Sequence, residues 1–337
     1  MKVLKVPLKE TEKFKRLLIA QKLLDPSHLP DKDKEFFYFP IAKSKKIKGA
    51  EIIEKEMREK EIRETNLRDA LQYYLTKDEL KLLKSAYDIV GNIAILEIEK
   101  ELEPKEQIIA EELMKLNKNV TTVVKKKGIH SGEFRLQETE HIAGKKTKFA
   151  IHKENNARIK VNVDKTYFSI RLSTERKRIA ELVKPGENIL VMFSGCAPYP
   201  IVLAKNTEAA KIIGIEINPD AHKLGLENIK LNKVKNVMLI NGDVKKEIPK
   251  LSEKFDRILM PLPKTADEFL KEALSVSKKG TIIHFYDFLK ETEFDLAYEK
   301  IDKACKEMKL KYKILETVRC GQHAPRVYRI CVDFKIL

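Results

Sequence analysis

The stretch Glu187-Asn-Ile-Leu-Val-Met-Phe-Ser-Gly195-Cys-Ala-Pro-Tyr-Pro200 decides the architecture. An apolar run, Ile189–Phe193, passes through one glycine into a Pro-opened segment of helical length. A helix-length gap later, Ile212-Ile-Gly-Ile-Glu216-Ile-Asn218-Pro219 repeats the apolar run and ends it in a carboxylate. Buried strands spaced this way form a parallel α/β sheet, which binds ligands at its carboxyl edge. Glu216 stands where such sheets hold a ribose.

The missing glycines narrow the cofactor. A dinucleotide turn reads G-x-G-x-x-G because its backbone must approach a pyrophosphate closely. Here only Gly195 is present, and Tyr199 and Pro200 fill the helix entry. A nucleoside with a ribose and no phosphate, such as S-adenosylmethionine, needs no such approach. That reading stands against NAD, and against a non-enzymatic sheet in which Gly195 and Glu216 merely end strands.

Strand and helix alternate from Glu175 to the end. The expected strands are Ile189–Phe193, Ile212–Ile217, Val237–Ile240, Asp256–Met260 and Thr281–Tyr286. Helices are expected at Thr174–Leu182, Pro219–Leu231, Thr265–Ser277 and Glu293–Met308, the second started by an Asn218 cap and Pro219. Tyr312–Thr317 and Arg326–Phe334 then predict an antiparallel pair turning at Gly321–Pro325. Five parallel strands closed by a hairpin is the layout of a class I, Rossmann-like methyltransferase domain. At its strand ends, Asp243 with Val244 would lie beside an adenine, or Asp243 would simply cap the next turn. Pro261-Leu-Pro-Lys264 would close the crevice, or only terminate a strand.

Upstream, a small α/β unit is expected over residues 1–62: a helix at Glu10–Leu24, a strand at Phe36–Phe39 and a basic run from Lys43 to Lys48. Residues 63–168 read as a split βαβ layer. It has one strand over Ala86–Ile98, a helix at Pro104–Leu116, a strand at Val120–Lys125, then runs near Glu133–His141, Lys148–His152 and Ala157–Val163 around an Asn155-Asn156 turn. Residues 169–337 complete the chain.

Among 337 residues, 67 Lys or Arg against 51 Asp or Glu give a net charge of +16, which suits a polyanionic partner as well as a solvated surface. Within 121–170, eleven basic residues face five acidic ones, just ahead of the cofactor strand. Cys196, Cys305, Cys320 and Cys331 have no zinc-ligand spacing, so no metal is expected. No apolar run approaches the ~18–20 residues of a membrane span, and the first residues lack a signal core. A cytoplasmic monomer is expected.

Gly132-Glu-Phe-Arg135, Glu140-His-Ile-Ala-Gly144, Ile151-His-Lys153-Glu-Asn155 and Tyr167-Phe-Ser-Ile-Arg171-Leu-Ser-Thr-Glu175-Arg176 resemble, in order and spacing, the archaeal and eukaryotic tRNA (guanine(37)-N1)-methyltransferase family. With the Phe193-Ser194-Gly195 turn, the Glu216-Ile217-Asn218 strand end and the Pro261–Lys264 loop, the likeness covers roughly residues 85–337. It implies a tRNA substrate, with the amino-terminal domain on the outer corner of the folded tRNA and the middle domain on the anticodon arm. S-adenosylmethionine would lie among Tyr167, Arg176, Phe193, Ser194, Gly195, Glu216, Ile217, Asn218, Asp243, Val244 and Pro261. Glu175 would take the guanine N1 proton, and Arg135 would hold the charge on the neighbouring oxygen. Arg171, Lys264, Lys153 and Asn155 would face the tRNA. The plain alternative for Glu175 is a first-turn acid favoured by the helix dipole.

Two departures stand out. Most members carry Asn where this chain has Pro261, and Gln137 replaces a second Arg. The Pro-initiated loop looks most like an archaeal subgroup that includes enzymes methylating ring carbon 7 of the wyosine precursor 4-demethylwyosine. Two competing readings are an aminocarboxypropyl transferase of wyosine synthesis, disfavoured by the Arg171–Arg176 segment, and a non-catalytic RNA-binding protein.

Overall fold

The computed structural model describes residues 1–59, 66–128, 134, 136–262 and 264–337. The chain divides into two compact units, Met1–Asp88 with Ala94–Lys126 and Glu140–Lys146, and Ile89–Ile93 with Lys127–Thr139 and Thr147–Leu337. Among the described residues no helix is long and apolar enough to cross a membrane.

The first unit opens with β1 (Lys2–Pro7), α1 (Thr11–Ala20), β2 (Asp31–Lys32), β3 (Phe36–Pro40) and β4 (Glu51–Glu54), in strand order β2-β3-β1-β4. Successive residues of β1 point to opposite faces. Leu4 and Val6 therefore pack with Phe14 and Leu18 of α1, while Val3 packs with Tyr38 and Met57. α2 (Leu67–Leu71) is capped by Asn66, and α3 (Lys77–Leu82) by a reciprocal Thr76–Glu79 box. A second sheet, in order β5-β6-β7-β8, comprises β5 (Asp88–Val90), β6 (Ile93–Leu96), β7 (Thr122–Lys126) and β8 (Thr139–Gly144), with α4 (Glu106–Leu116) between β6 and β7. The single strand expected over 86–98 is thus two. Gly91 turns the chain at φ +59°, and a Cβ there would lie 2.5 Å from the Ile151 carbonyl oxygen.

The second unit begins with the hairpin β9 (Phe149–Glu154) and β10 (Ala157–Asn162). Asn155 and Asn156 link them at φ +40° and +60°, the left-handed pair a tight two-residue turn requires. Then follow α5 (Ser173–Leu182), β11 (Asn188–Met192), α6 (Pro198–Asn206), β12 (Lys211–Glu216), α7 (Pro219–Asn232), β13 (Val237–Asn241), α8 (Val244–Glu247), β14 (Phe255–Met260), α9 (Leu270–Ser275), β15 (Ser277–Lys290), α10 (Asp295–Glu307), β16 (Tyr312–Ala324) and β17 (Val327–Ile336). Their sheet has the order β13-β12-β11-β14-β15-β17-β16. The first five strands are parallel, and β17 pairs antiparallel with both β15 and β16. From β11 the chain winds outward to β12 and β13, then crosses back to β14, so a crevice opens above β11.

The hairpin is held by an unusual edge. Asn228 and Asn232, one turn apart on α7, exchange side-chain bonds with the Lys160 and Arg158 backbone at 2.7–3.0 Å. Two amides thus stand in for a neighbouring strand and seal the β10 edge. This places residues 149–162, which the sequence groups with the middle segment, on the second unit.

β15 is longer than expected, 14 residues instead of the apolar Thr281–Tyr286 run. Its end from Asp287 to Lys290 stays extended because it pairs with β17 residues Ile330 to Val327. β16 likewise continues to Ala324, so of the expected Gly321–Pro325 turn only Pro325 lies in the turn itself, while Gly321 sits beside a bulge inside the strand opposite Arg329.

Candidate active site at the carboxyl edge of the sheet

A cleft of about 360 Å³ lies above the ends of β11, β12, β13 and β14. Tyr167, Arg176, Phe193, Ser194, Gly195, Glu216, Ile217, Asn218, Asp243, Val244 and Pro261 all line it. The turn from β11 into α6 holds Phe193, Gly195 and Ala197 at φ +58°, +59° and +65°. Two of the three are not glycine, so the turn carries backbone strain, which is commonly stored where a fold builds a site. Gly195 is required for its torsion rather than for room, since a Cβ would meet nothing closer than the Tyr167 carbonyl oxygen at 3.6 Å.

Glu216 ends β12 with its carboxylate folded over that turn. Oε2 accepts from the Gly195 N–H at 2.6 Å and Oε1 from the Asn218 N–H at 2.8 Å. Burial raises its pKa, against the pull of these amide bonds. Asn218 caps α7 by accepting from Asp220 and Ala221 and donates to the Lys165 carbonyl, so its side chain is fully engaged in the scaffold. Asp243 lines the cleft, and its Oδ1 caps α8 by accepting from the Lys245 N–H at 2.9 Å.

Aromatic rings make the walls. Phe193 and Phe269 meet edge to face at 4.8 Å, and Lys245 sits 4.7 Å from the Phe269 centroid. Arg176 is nearly sealed from solvent, paired with both oxygens of Glu154 and donating to the Ser169 carbonyl. Its guanidinium lies 5.3 Å from the Phe168 ring and 5.8 Å from that of Tyr199, so its charge is spent on holding the wall. Burial pushes the Glu154 carboxyl up, but bonds from His152 and Arg176 bring it down to about 2.

Glu175 does not line the cleft. Only 4% exposed, it accepts two bonds from Arg178 at 2.8 Å and one from the Tyr286 hydroxyl at 2.7 Å. Tyr286 Oη is in turn 3.0 Å from that of Tyr199, a residue of the cleft wall. Behind Glu175 runs a buried polar chain: Arg178 to Asp333, Asp333 to His284, His284 to Arg257, and Arg257 to Glu187. Because the guanidinium of Arg257 can only donate, His284 Nε2 accepts and Nδ1 carries the proton given to Asp333. Burial lowers the His284 pKa, which keeps the ring neutral. His284, Cys331 and Asp333 cluster within 4.8 Å, but two guanidinium groups already serve this cluster, an environment hostile to a cation.

The residues expected to face tRNA are dispersed. Arg171 and Lys264 are exposed beyond the cleft, and Lys153 is exposed on β9. Asn155 is instead tied down, donating to the carbonyl and hydroxyl oxygens of Ser173. Arg135 lies outside the described residues.

A family model for the TRM5/TYW2 methyltransferase domain matches residues 150–315. Trm5b of Pyrococcus abyssi, named a tRNA (guanine(37)-N(1))-methyltransferase, is 37% identical over 98% of this chain and 98% of its own. The chain belongs to the TRM5/TYW2 methyltransferase family. Models for a tRNA methyltransferase 5 N-terminal domain and a TYW2 N-terminal domain match residues 4–49 and 67–147. Among solved structures, P. abyssi Trm5b superposes with a TM-score of 0.75, covering 100% of this chain and 99% of that one at 37% identity. A complex of aTrm5 with tRNALeu gives 0.73 at 33% identity, covering all of both chains. A Pyrococcus horikoshii aminocarboxypropyltransferase is 32% identical over 80% of this chain and 95% of its own.

For this TRM5/TYW2 member, motif reading named Tyr167, Arg176 and Phe193 among the lining residues and left out three further wall aromatics. Phe168, Tyr199 and Phe269 look like ordinary core residues in sequence. The Arg178–Asp333 link joins positions 155 residues apart and leaves no local signal beyond Glu175 and Arg178 at helical spacing.

Proposed function

We propose that this protein transfers a methyl group from S-adenosylmethionine to N1 of guanosine 37 in tRNA. The observation that carries the reading is the convergence of every expected cofactor-side position on one cleft at the sheet's switch point. The cleft suits a nucleoside without phosphates, because it offers the carboxylates of Glu216 and Asp243 where a pyrophosphate would meet repulsion. Ser194 Oγ is also buried without a hydrogen-bond partner, a polar group that a ligand would complete. When bound, S-adenosylmethionine supplies an electrophilic methyl group.

The chain's own residues then have three tasks. Glu216 accepts from ribose hydroxyls, and Asp243 from the adenine amine. Phe193 and Phe269 exclude water from the base and ring. Glu175 takes the N1 proton of guanine, and its position one tyrosine behind the wall requires that it first leave the Tyr286 hydroxyl. Arg135 steadies the charge on the neighbouring carbonyl oxygen, as a fixed cation does in a dry site. We assign residues 1–62 and 63–168 to tRNA recognition and 169–337 to catalysis; the two N-terminal family models, over 4–49 and 67–147, support the first part, while the methyltransferase model, over 150–315, takes the β9–β10 hairpin with the catalytic part. The protein acts as a cytoplasmic monomer.

The test uses labelled cofactor and tRNA transcripts with guanosine, inosine or adenosine at position 37. Methyl transfer to guanosine and inosine but not adenosine is expected, since only the first two offer an N1 hydrogen beside a carbonyl. Label transferred from the aminocarboxypropyl half would overturn the assignment. A tRNA carrying 4-demethylwyosine, added last, tests the second substrate.

A further inference from the structure

Beyond the cleft, the antiparallel end of the sheet carries a run of planar groups that no step above uses. Phe288 on β15 and His323 on β16 stack across β17, with centroids 4.1 Å apart and planes inclined by 21°. The Arg329 guanidinium also lies on Phe288, 5.0 Å from its centroid, and its Nη2 donates to Tyr167 Oη at 2.9 Å. Tyr167 lines the cleft, so the series His323, Phe288, Arg329, Tyr167 leads from the hairpin tip into the site. A second cation lies close by, with Arg319 4.9 Å from Tyr328 and 5.4 Å from Phe294. His323, Arg319 and Arg326 are exposed at this end.

The geometry points to a stacking platform for an unpaired base of the substrate RNA, one flanking the base that enters the cleft. The assignment rests on the proposed tRNA reaction and says which protein surface holds the loop beside its target. Chemistry favours nucleic acid over a protein partner here. Aromatic faces and flat guanidinium groups, exposed and flanked by arginines, stack bases and neutralise phosphates together. A protein anchor would call for a deep apolar pocket, and the exposed groups here are instead an imidazole and two arginines, one of them paired with Glu291. An RNA loop is also the one partner class whose unstacked bases can extend the ring series while a neighbour sits in the cleft.

The test compares His323→Ala with His323→Phe in the full-length protein, using tRNA with 2-aminopurine at position 36 or 38 beside guanosine 37. Wild type and His323→Phe should change the 2-aminopurine fluorescence on binding. His323→Ala should lose that change and bind tRNA roughly five- to a hundredfold more weakly, the span of one lost base–aromatic stack. Affinity for S-adenosylmethionine should stay within about twofold, because His323 does not line the cleft and Phe288 and Arg329 stand between it and Tyr167. Unchanged tRNA affinity and an unchanged fluorescence response in a folded His323→Ala protein would overturn the platform. Binding is read without catalysis. A wild type that binds tRNA but transfers no methyl therefore overturns the proposed reaction, while the 2-aminopurine response still decides the platform.

Discussion

Arg178 holds Glu175 and Asp333 with one guanidinium, giving two bonds of 2.8 Å to the first and bonds of 2.7 and 3.3 Å to the second. Both carboxylates are buried, so each depends on this cation for compensation. Arg178→Met should therefore destabilise the protein by about 3–5 kcal/mol, the usual consequence of leaving buried charge unpaired. Urea unfolding measures it. A midpoint within error of wild type would mean that Tyr286 and His284 suffice to hold the two acids.

Acid should weaken the same region. Burial acts to raise the Asp333 carboxyl, yet bonds from His284 and Arg178 hold it well below the usual carboxylate range, and Glu154 is brought to about 2. A folded pKa below the unfolded one contributes stability above the unfolded value, near 4, and loses it as pH falls toward the folded value. Unfolding free energy should be flat near neutrality and fall steadily below about pH 4.5. In Glu154→Gln the neutral-pH stability should be lower and the acid slope shallower; an identical slope would remove Glu154 from this account.

Glu175→Gln separates chemistry from scaffold. The amide keeps the shape but cannot take a proton, so transfer should slow by about 10²- to 10⁴-fold, the range for a lost general base. Cofactor affinity should change little, because Glu175 is not among the cleft residues. Rapid-quench single-turnover rates check this. A rate near wild type would return Glu175 to the dipole-favoured, structural reading.

Sequence carried the parallel strands far better than the antiparallel ones. Ile189–Phe193 is uniformly apolar, and Ile212–Ile217 is so up to Glu216 at its end, because both faces of a central strand are covered; β11 and β12 lie within a residue of those bounds. β15 and β16 ran past their apolar runs because pairing with β17 keeps Asp287–Lys290 and Val318–Ala324 extended. At the site, Glu216 and Asp243 were readable as acids closing apolar runs. Tyr199 and Phe269 were not, since a wall aromatic and a core aromatic have the same sequence signature.

Asn228 offers a test of the edge seal on β10. It is fully buried, accepts from the Lys160 N–H and donates to the carbonyls of Lys160 and Cys196. Asn228→Leu fills similar space but strands those backbone groups, at about 1–3 kcal/mol for each left unsatisfied. Faster hydrogen exchange at Lys160 should accompany the loss. Protection equal to wild type would show that the hairpin edge is sealed by other contacts.

Asp243 combines two duties that substitutions can pull apart. As the cap of α8 it accepts from Lys245 N–H, and either Asp or Asn can do so. Asp243→Asn should therefore keep thermal stability while weakening S-adenosylmethionine, because an amide oxygen is a poorer acceptor for the adenine amine than a carboxylate. Asp243→Ala should lose both, with about 0.5–2 kcal/mol of stability gone with the cap. Calorimetric titration of cofactor alongside melting curves for the two variants resolves the pair. If Asn and Ala lower cofactor affinity by nothing, the residue is a helix cap alone, and the adenine is read by another group in the cleft.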